Sequence, residues 1–180
     1  MQHKAYVYFS TPDNLFWWPL SWIIRFIESK ERPKLYHSSH AAIRIGDYIY
    51  EAVLFLGVRK ISFEKWYHKN NISMRYSVVL SNQDLQNVHA FCEGSIGVPY
   101  ATFELLGILY SRFMVRFFKR YVDNPFCLIK RKVKCTEFVY EAIKRIAKIR
   151  IKGDLNNLGV RDLEEAIVWR VPREVESAIP

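Results

Sequence analysis

Hydrophobic patterning divides the chain into an early part rich in strands and a later part rich in helices. β-Branched and aromatic runs predict strands at Ala5–Ser10, Ser39–Ile45, Tyr48–Val53, Leu56–Ser62 and Ile72–Leu80. Helical periodicity predicts helices at Pro19–Glu28, Asn82–Glu93, Thr102–Arg120, Cys135–Lys148 and Arg161–Val168. The residue types at Thr11–Asn14 predict a turn, and Asn82 is expected to cap its helix. Because most of the strands precede most of the helices, the pattern favours an α+β fold.

The clearest local prediction is a hairpin around Gly46–Asp47, a pair typical of two-residue primed turns. If Ile45 pairs with Tyr48, His40 and Glu51 lie on one face as diagonal neighbours, within reach of each other. The carboxylate then accepts the ring N–H of the histidine, fixes its tautomer and stabilises imidazolium. Two alternatives remain: His40 is a half-buried strand histidine beside a surface charge, or a three-residue loop shifts the register and separates the pair.

Cys135 begins a predicted helix whose apolar stripe continues through Phe138, Val139, Ala142, Ile143 and Ile146. The positive end of the helix dipole favours a thiolate, and so do the preceding Lys130, Arg131, Lys132 and Lys134. A thiolate beside a histidine is an acyl-transfer nucleophile, and the backbone N–H of Cys135 can stabilise an oxyanion. The alternative is a core cysteine that packs the helix.

Composition limits the remaining classes of protein. The 180 residues predict one domain over 1–180, large enough to fold without disulfides or metal. The three cysteines form no C-x-x-C motif, and His89 with Cys92 offers too few ligands for a metal, so we expect no metal and no cofactor. Free thiols, no signal peptide and no long apolar run predict a cytoplasmic protein, and release by lysis would leave no trace in the sequence.

The net charge of +9 is concentrated in one segment, because residues 112–134 contain eight Lys or Arg and one Asp. On the predicted helix Thr102–Arg120, the polar residues Glu104, Arg112, Arg116 and Lys119 form one stripe beside a wide apolar face. One interpretation is a core helix with a solvated edge. The other is an interfacial helix that contacts an anionic membrane or polymer, with Asn14–Ile27 as a second aromatic surface. Nucleic acid is a less favoured partner, because the sequence contains no recognised nucleic-acid-binding module.

The order of these motifs resembles the circularly permuted branch of the papain-like fold. That branch includes the YiiX-like bacterial proteins and the lecithin:retinol acyltransferase group, and it is related to the NlpC-type cell-wall peptidases. The similar segments are Ser39–Asp47 (SHAAIRIGD), Glu51, Gly97–Tyr100 (GVPY) and Lys134–Val139 (KCTEFV). They run from the histidine strand to the nucleophile helix, and a basic helical insert at about 102–134 separates the last two.

The resemblance implies a permuted papain-like fold, in which an antiparallel sheet that carries His40 and Glu51 packs against a helix that begins at Cys135. It implies a cysteine-dependent hydrolase of an amide or peptide bond, with cell-wall peptide as an expected substrate. Cys135 would attack, His40 would act as base, Glu51 would orient His40, and Tyr100 would assist. The same branch contains lipid acyltransferases, phospholipases and thioesterases that act at membranes, and a non-catalytic binding protein on this fold is the further alternative.

Overall fold

The structure is a computed structural model that describes residues 3–13, 18–28, 38–123, 125, 132–147 and 158–168. Its strands are β1 (His3–Pro12), β2 (His40–Ile45), β3 (Tyr48–Val53), β4 (Gly57–Ser62) and β5 (Asn70–Leu80). Its helices are α1 (Trp18–Glu28), α2 (Phe63–Tyr67), α3 (Asn82–Gly94), α4 (Thr102–Phe118), α5 (Cys135–Ala147) and α6 (Val160–Val168). The strands form one antiparallel sheet in the order β4-β3-β2-β1-β5, so the α+β prediction is confirmed.

Three predicted boundaries are wrong for local physical reasons. β1 continues to Pro12, which pairs with Asn70, so the predicted turn at Thr11–Asn14 does not begin at Thr11. Ser81, not Asn82, caps α3, because its hydroxyl accepts the backbone N–H of Asp84 at 3.1 Å. α4 ends at Phe118, since the next residue, Lys119, adopts a left-handed φ of 54°.

The predicted hairpin and its register are confirmed. Ile45 pairs with Tyr48, and the pairs that follow towards the other end of the two strands are Arg44 with Ile49 and Ile43 with Tyr50. Gly46 has φ +59°, at the first of the two turn residues, where a type II′ turn needs a positive φ. The hairpin therefore places alternate residues of β2 and β3 on common faces of the sheet.

The two faces of the sheet are covered by different helices. On one face α3, α5 and α6 bury the larger core, with Phe138, Val139 and Ile143 of α5 fully buried. On the other face the short helix α2 closes a smaller cluster around Trp66 and Tyr8. Because hydrophobic burial is the main favourable term in folding, these two layers fix α5 and α2 on opposite sides of β2 and β3.

One end of the sheet collects the elements that form the site described below. Neighbouring strands are antiparallel, so this end holds the last residues of β1 and β3 and the first residues of β2, β4 and β5. Gly57 fixes a loop against it: a Cβ at Gly57 would lie 2.4 Å from the carbonyl oxygen of Val98, and φ is +73°. Val58 and Gly97 complete this contact, because the Val58 N–H donates to Val98 at 2.8 Å and the Gly97 N–H to Val58 at 2.9 Å.

The orientation of α4 differs from the interpretation as a core helix with a solvated polar edge. Three of the four residues of the polar stripe face the protein: Glu104 is buried, Arg112 pairs with Asp162 of α6, and Arg116 donates to the Phe26 carbonyl of α1 at 2.8 Å. The exposed face is instead apolar, and it consists of Phe103, Leu106, Tyr110, Phe113 and Phe117. The polar groups are therefore used as contacts between helices, and aromatic rings face solvent. In the part of the chain that is described, no helix is long and apolar enough to cross a membrane.

Candidate active site

A buried carboxylate, Glu51, lies at the centre of a set of hydrogen bonds. Its Oε2 accepts His40 Nε2 at 2.7 Å and Trp66 Nε1 at 2.8 Å, while its Oε1 accepts Arg59 Nε at 2.8 Å and Nη2 at 2.6 Å. The Glu51 side chain is 2% exposed. Burial alone would raise its pKa, but His40 and Arg59 lower the pKa of Glu51 to about 2. Glu51 is therefore ionised and fixed in place.

Cys135 reaches His40 from the opposite layer of the fold. His40 is the first residue of β2, and Cys135 is the first residue of α5, which packs on β2 and β3. Both residues therefore lie at the same end of the sheet, with their side chains close enough that each shifts the pKa of the other. Since Nε2 of His40 faces Glu51, Nδ1 is the ring nitrogen left for the thiol.

The pKa values of this pair are shifted in opposite directions, and each shift favours the charged form. Burial opposes charge on His40, but hydrogen bonds with Cys135 and Glu51 raise the pKa of His40 to about 10. Burial also opposes a thiolate at Cys135, yet His40 and the backbone N–H of Ala41 lower the pKa of Cys135. Near neutral pH these shifts favour a thiolate–imidazolium pair, which is the reactive form of a nucleophilic cysteine.

The lysines before Cys135 contribute less than the sequence predicts. Lys134 is 2% exposed and lies between two carboxylates, with Nζ 3.9 Å from Glu104 Oε2 and 4.0 Å from Glu137 Oε2. Lys132 lies over the ring of Phe103, and residues 130 and 131 fall outside the described part of the chain. The positive charge at Lys134 is thus offset locally, and the imidazolium of His40 is the main cause of the lowered thiol pKa.

Tyr100 is brought to Cys135 across the insert by a short parallel bridge with Val133. The N–H of Val133 donates to Pro99 and the N–H of Ala101 donates to Val133, both at 3.1 Å. The Tyr100 hydroxyl lies 4.0 Å from Cys135 Sγ. Burial and the neighbouring thiolate raise the pKa of Tyr100 well above its ordinary value, while the backbone N–H of Cys135 acts in the opposite direction. The Tyr100 hydroxyl therefore stays protonated, beside the Cys135 N–H.

A cavity of about 240 Å³ opens onto this group. His40, Cys135 and Tyr100 line it together with polar residues at the sheet end. Its other lining residues are Pro12, Leu20, Ser21, Ile24, Ser39, Ala52, Val53, Leu54, Leu56, Arg59, Lys69, Asn70 and Leu105. Residues of α1, α4 and the β3–β4 loop thus cover the sheet end. The 3.0 Å hydrogen bond from Ser39 to Ser21 ties α1 to the sheet beside His40.

Sequence reasoning missed two residues that hold Glu51. Arg59 pairs directly across from Glu51 in the β3–β4 ladder, a position where an opposite charge is favourable. Counting register through the predicted strand Leu56–Ser62 would have found it. Trp66 gave no comparable signal, because α2 reaches Glu51 only through packing on the sheet face.

The remaining cysteines and histidines give no second centre among the described residues. Cys92 is buried in α3, and burial raises its pKa to about 12. His89 lies 3.4 Å from Glu93 on the same helix. Cys127 and His37 fall outside the described residues. Within the described ranges, no three His, Cys, Asp or Glu side chains gather as metal ligands would.

Comparisons with protein families, with curated proteins and with solved structures find no match to this chain. Glu51, His40, Cys135 and Tyr100, together with the cavity that the last three line, are the features that point to a function.

Proposed function

We propose that the protein is a cysteine-dependent hydrolase of amide or peptide bonds, with a Cys135–His40–Glu51 triad on a circularly permuted papain-like fold. One observation carries the proposal: buried Glu51 is hydrogen-bonded to His40, and His40 lies beside Cys135 in the lining of one cavity, where each shifts the pKa of the other. A structural cysteine needs neither a lowered pKa nor access to a cavity. Cys92, buried with a raised pKa, provides that contrast within the same chain.

The reaction follows from the charges of the pair. The Cys135 thiolate attacks the carbonyl carbon, and a C–S bond forms while the carbonyl electron pair moves to oxygen. When the tetrahedral intermediate collapses, the imidazolium of His40 gives its proton to the leaving amine, and an acyl-enzyme remains. His40, now neutral, takes a proton from water as the water attacks the thioester, and the thiolate is released. Glu51 remains ionised and stabilises His40 whenever it is an imidazolium.

Two donors beside the sulfur suit the developing oxyanion. The backbone N–H of Cys135 lies in the first turn of α5, where N–H groups lack an intrahelical acceptor. The Tyr100 hydroxyl lies next to it and stays protonated. Preorganised donors of this kind are typically worth about 10²–10³-fold in rate each.

The first test is to trap the acyl-enzyme with p-nitrophenyl acetate, a small activated ester. We expect a burst of one nitrophenol per protein and a mass increase of about 42 Da on the peptide that contains Cys135, because thiolate attack leaves an acetyl group on sulfur. Cys92→Ala is the matched control and should retain the burst. Cys135→Ala should lose both signals. Absence of the adduct from the wild-type protein would favour the non-catalytic alternative.

Acyl transfer or hydrolysis on lipids is the second candidate function, and the exposed aromatic surface favours it. The rings of Trp22 and Phe26 are stacked, with their centroids 5.2 Å apart. The ring centroid of Phe117 lies 6.4 Å from that of Phe26 and 4.6 Å from that of Phe113. This aromatic surface of α1 and α4 adjoins the cavity, because both helices also line it. A contiguous group of exposed aromatic side chains is typical of interaction sites. Lys119 and Arg120, which follow α4, are also exposed, and their positive charges suit anionic head groups.

Flotation with vesicles tests this second candidate. The wild-type protein should bind vesicles that contain phosphatidylserine, and about 0.5 M salt should weaken the binding by screening. The double variant Phe113→Ser, Phe117→Ser should bind about tenfold less, since it removes two rings from the aromatic surface. Val79→Ser, which changes an exposed apolar residue on β5, is the matched control and should bind normally. If the wild-type protein fails to float with anionic vesicles, the membrane version is excluded.

A further inference from the structure

The charged residues at the polar end of the cavity are both positively charged. Apart from the His40–Cys135 pair, Arg59 and Lys69 are the charged side chains among the described lining residues, and no Asp or Glu of the described ranges lines the cavity. Both residues belong to the polar end, where β4 begins and α2 leads into β5. A binding cavity that presents cations and no carboxylate selects against cationic groups and favours anionic ones.

Arg59 retains a donor that its contact with Glu51 does not use. Nε and Nη2 both donate to Glu51 Oε1, which leaves Nη1 without a hydrogen bond to any described residue. The Arg59 side chain is 39% exposed, whereas Glu51 is 2% exposed. Arg59 therefore holds Glu51 with one edge of its guanidinium, and the same residue lines the cavity.

Lys69 is positioned by its backbone while its ammonium group has no ion pair among the described residues. Its N–H donates to the Trp66 carbonyl at 3.0 Å, and its carbonyl accepts the Asp13 N–H at 2.9 Å. The adjacent Asn70 side chain also donates to the Trp66 carbonyl, at 2.9 Å. These bonds fix the backbone from which the Lys69 side chain reaches the cavity.

The net charge of the site is positive even after the triad is counted. The imidazolium of His40, Arg59 and Lys69 contribute three positive charges, and Glu51 with the Cys135 thiolate contributes two negative ones. The rest of the lining is largely apolar, with Leu20, Ile24, Val53, Leu54, Leu56 and Leu105. A ligand that suits both ends carries a hydrocarbon part and an anionic group.

We propose that the substrate is an acyl compound that carries a carboxylate or phosphate. Arg59 and Lys69 bind this anionic group, while the hydrocarbon part of the substrate contacts the apolar residues that line the cavity. This assignment rests on the proposed function, since it names the substrate class of the same site. The cavity of about 240 Å³ is smaller than pockets that enclose whole drug-sized ligands, so it holds one end of a larger substrate. Arg59 thereby acts in two ways, as the residue that positions Glu51 and as a ligand-binding group.

Ligand-observed NMR titrations with three six-carbon probes test the proposal without any turnover. The probes are hexanoate, hexyl phosphate and neutral hexanamide. The wild-type protein should bind at least one of the two anions about tenfold more tightly than hexanamide, which corresponds to about 1.4 kcal/mol. Tighter binding of hexyl phosphate would identify a phosphorylated substrate such as a lipid head group, and tighter binding of hexanoate would identify a free carboxylate.

Substitution of Lys69 locates the effect. Lys69→Gln should reduce the preference for anions about threefold, in the range expected for a partly exposed charge, and Lys69→Arg should preserve it. Lys65→Gln removes an exposed lysine of α2 outside the cavity and is the matched control. Equal binding of hexanamide and both anions, or an unchanged preference in Lys69→Gln, would overturn the proposal. Failure of the proposed function would appear separately, as an unreactive Cys135 in a protein that still selects anions.

Discussion

Replacement of His40 with glutamine is expected to slow alkylation of Cys135 at pH 6 by about 10²–10³-fold. The wild-type thiol loses its proton to His40, whereas in His40→Gln its pKa returns to its ordinary value of 9.0 or higher, because the sulfur remains buried. At pH 6 a thiol with that pKa is about 0.1% thiolate, and the thiolate is the species that reacts.

The alkylation rate of Cys135 should depend on pH differently in the wild-type protein and in His40→Gln. In the wild-type protein the rate with iodoacetamide should be nearly constant through neutral pH and should fall as acid protonates the thiolate. The plateau should extend to about pH 10, the pKa to which His40 is raised, since the ion pair persists below it. In His40→Gln the rate should instead rise about tenfold per pH unit up to the ordinary thiol pKa.

Peptide mapping by mass spectrometry separates Cys135 from the other thiols in this experiment. Cys92 is an internal control that should stay unmodified, because burial raises its pKa to about 12. His89→Gln, on the exposed face of α3, is the matched control for a lost histidine and should leave the Cys135 rate unchanged. A rate in His40→Gln within threefold of wild type at pH 6 would contradict the thiolate–imidazolium pair.

Replacement of Glu51 with alanine is expected to destabilise the fold by about 3–5 kcal/mol, since it leaves Arg59, His40 and Trp66 without their common acceptor. For a chain of this size that loss lowers the Tm by roughly 6–20 °C. Glu165→Ala, which removes an exposed carboxylate paired with Arg161, is the matched control and should cost about 0.5 kcal/mol or less.

The loss of folding stability at acidic pH tests the same residue, Glu51. Glu51 has a folded pKa of about 2 against an ordinary value of 4.5, so it contributes stability above pH 4.5 and loses it as pH falls towards 2. The size of that contribution is about 3 kcal/mol. Urea denaturation between pH 6 and pH 3 should therefore show a shallower loss of stability in Glu51→Gln than in wild type. Parallel curves for the two proteins would show that Glu51 is not stabilised as an anion.

The sequence predicted the parts of the site that depend on local rules. A two-residue turn at Gly46–Asp47 determines the register, and the register alone places His40 and Glu51 on one face. The start of an amphipathic helix likewise locates Cys135 at its N-terminus. The approach of Tyr100 came only from the resemblance of the GVPY segment, since no local rule joins residues on both sides of a long insert.

The orientation of α4 could not be read from its pattern. Periodicity identifies a polar stripe and an apolar stripe but does not say which of them meets the rest of the protein. The outcome depends on Asp162 in α6 and on the Phe26 carbonyl in α1, which accept Arg112 and Arg116. Both partners are distant in sequence, so the contact belongs to tertiary structure.

The bridge between Tyr100 and Val133 also has a consequence for how this protein can vary. The insert leaves the fold beside Cys135 and returns to it at the same place, with its two ends hydrogen-bonded to each other. Closing a longer or shorter loop between joined ends changes the conformational entropy only slowly with length. The length of the segment between α4 and Val133, and the exposed residues of α4, can therefore change while the nucleophile keeps its position, so substrate preference and reaction chemistry can evolve separately in this architecture.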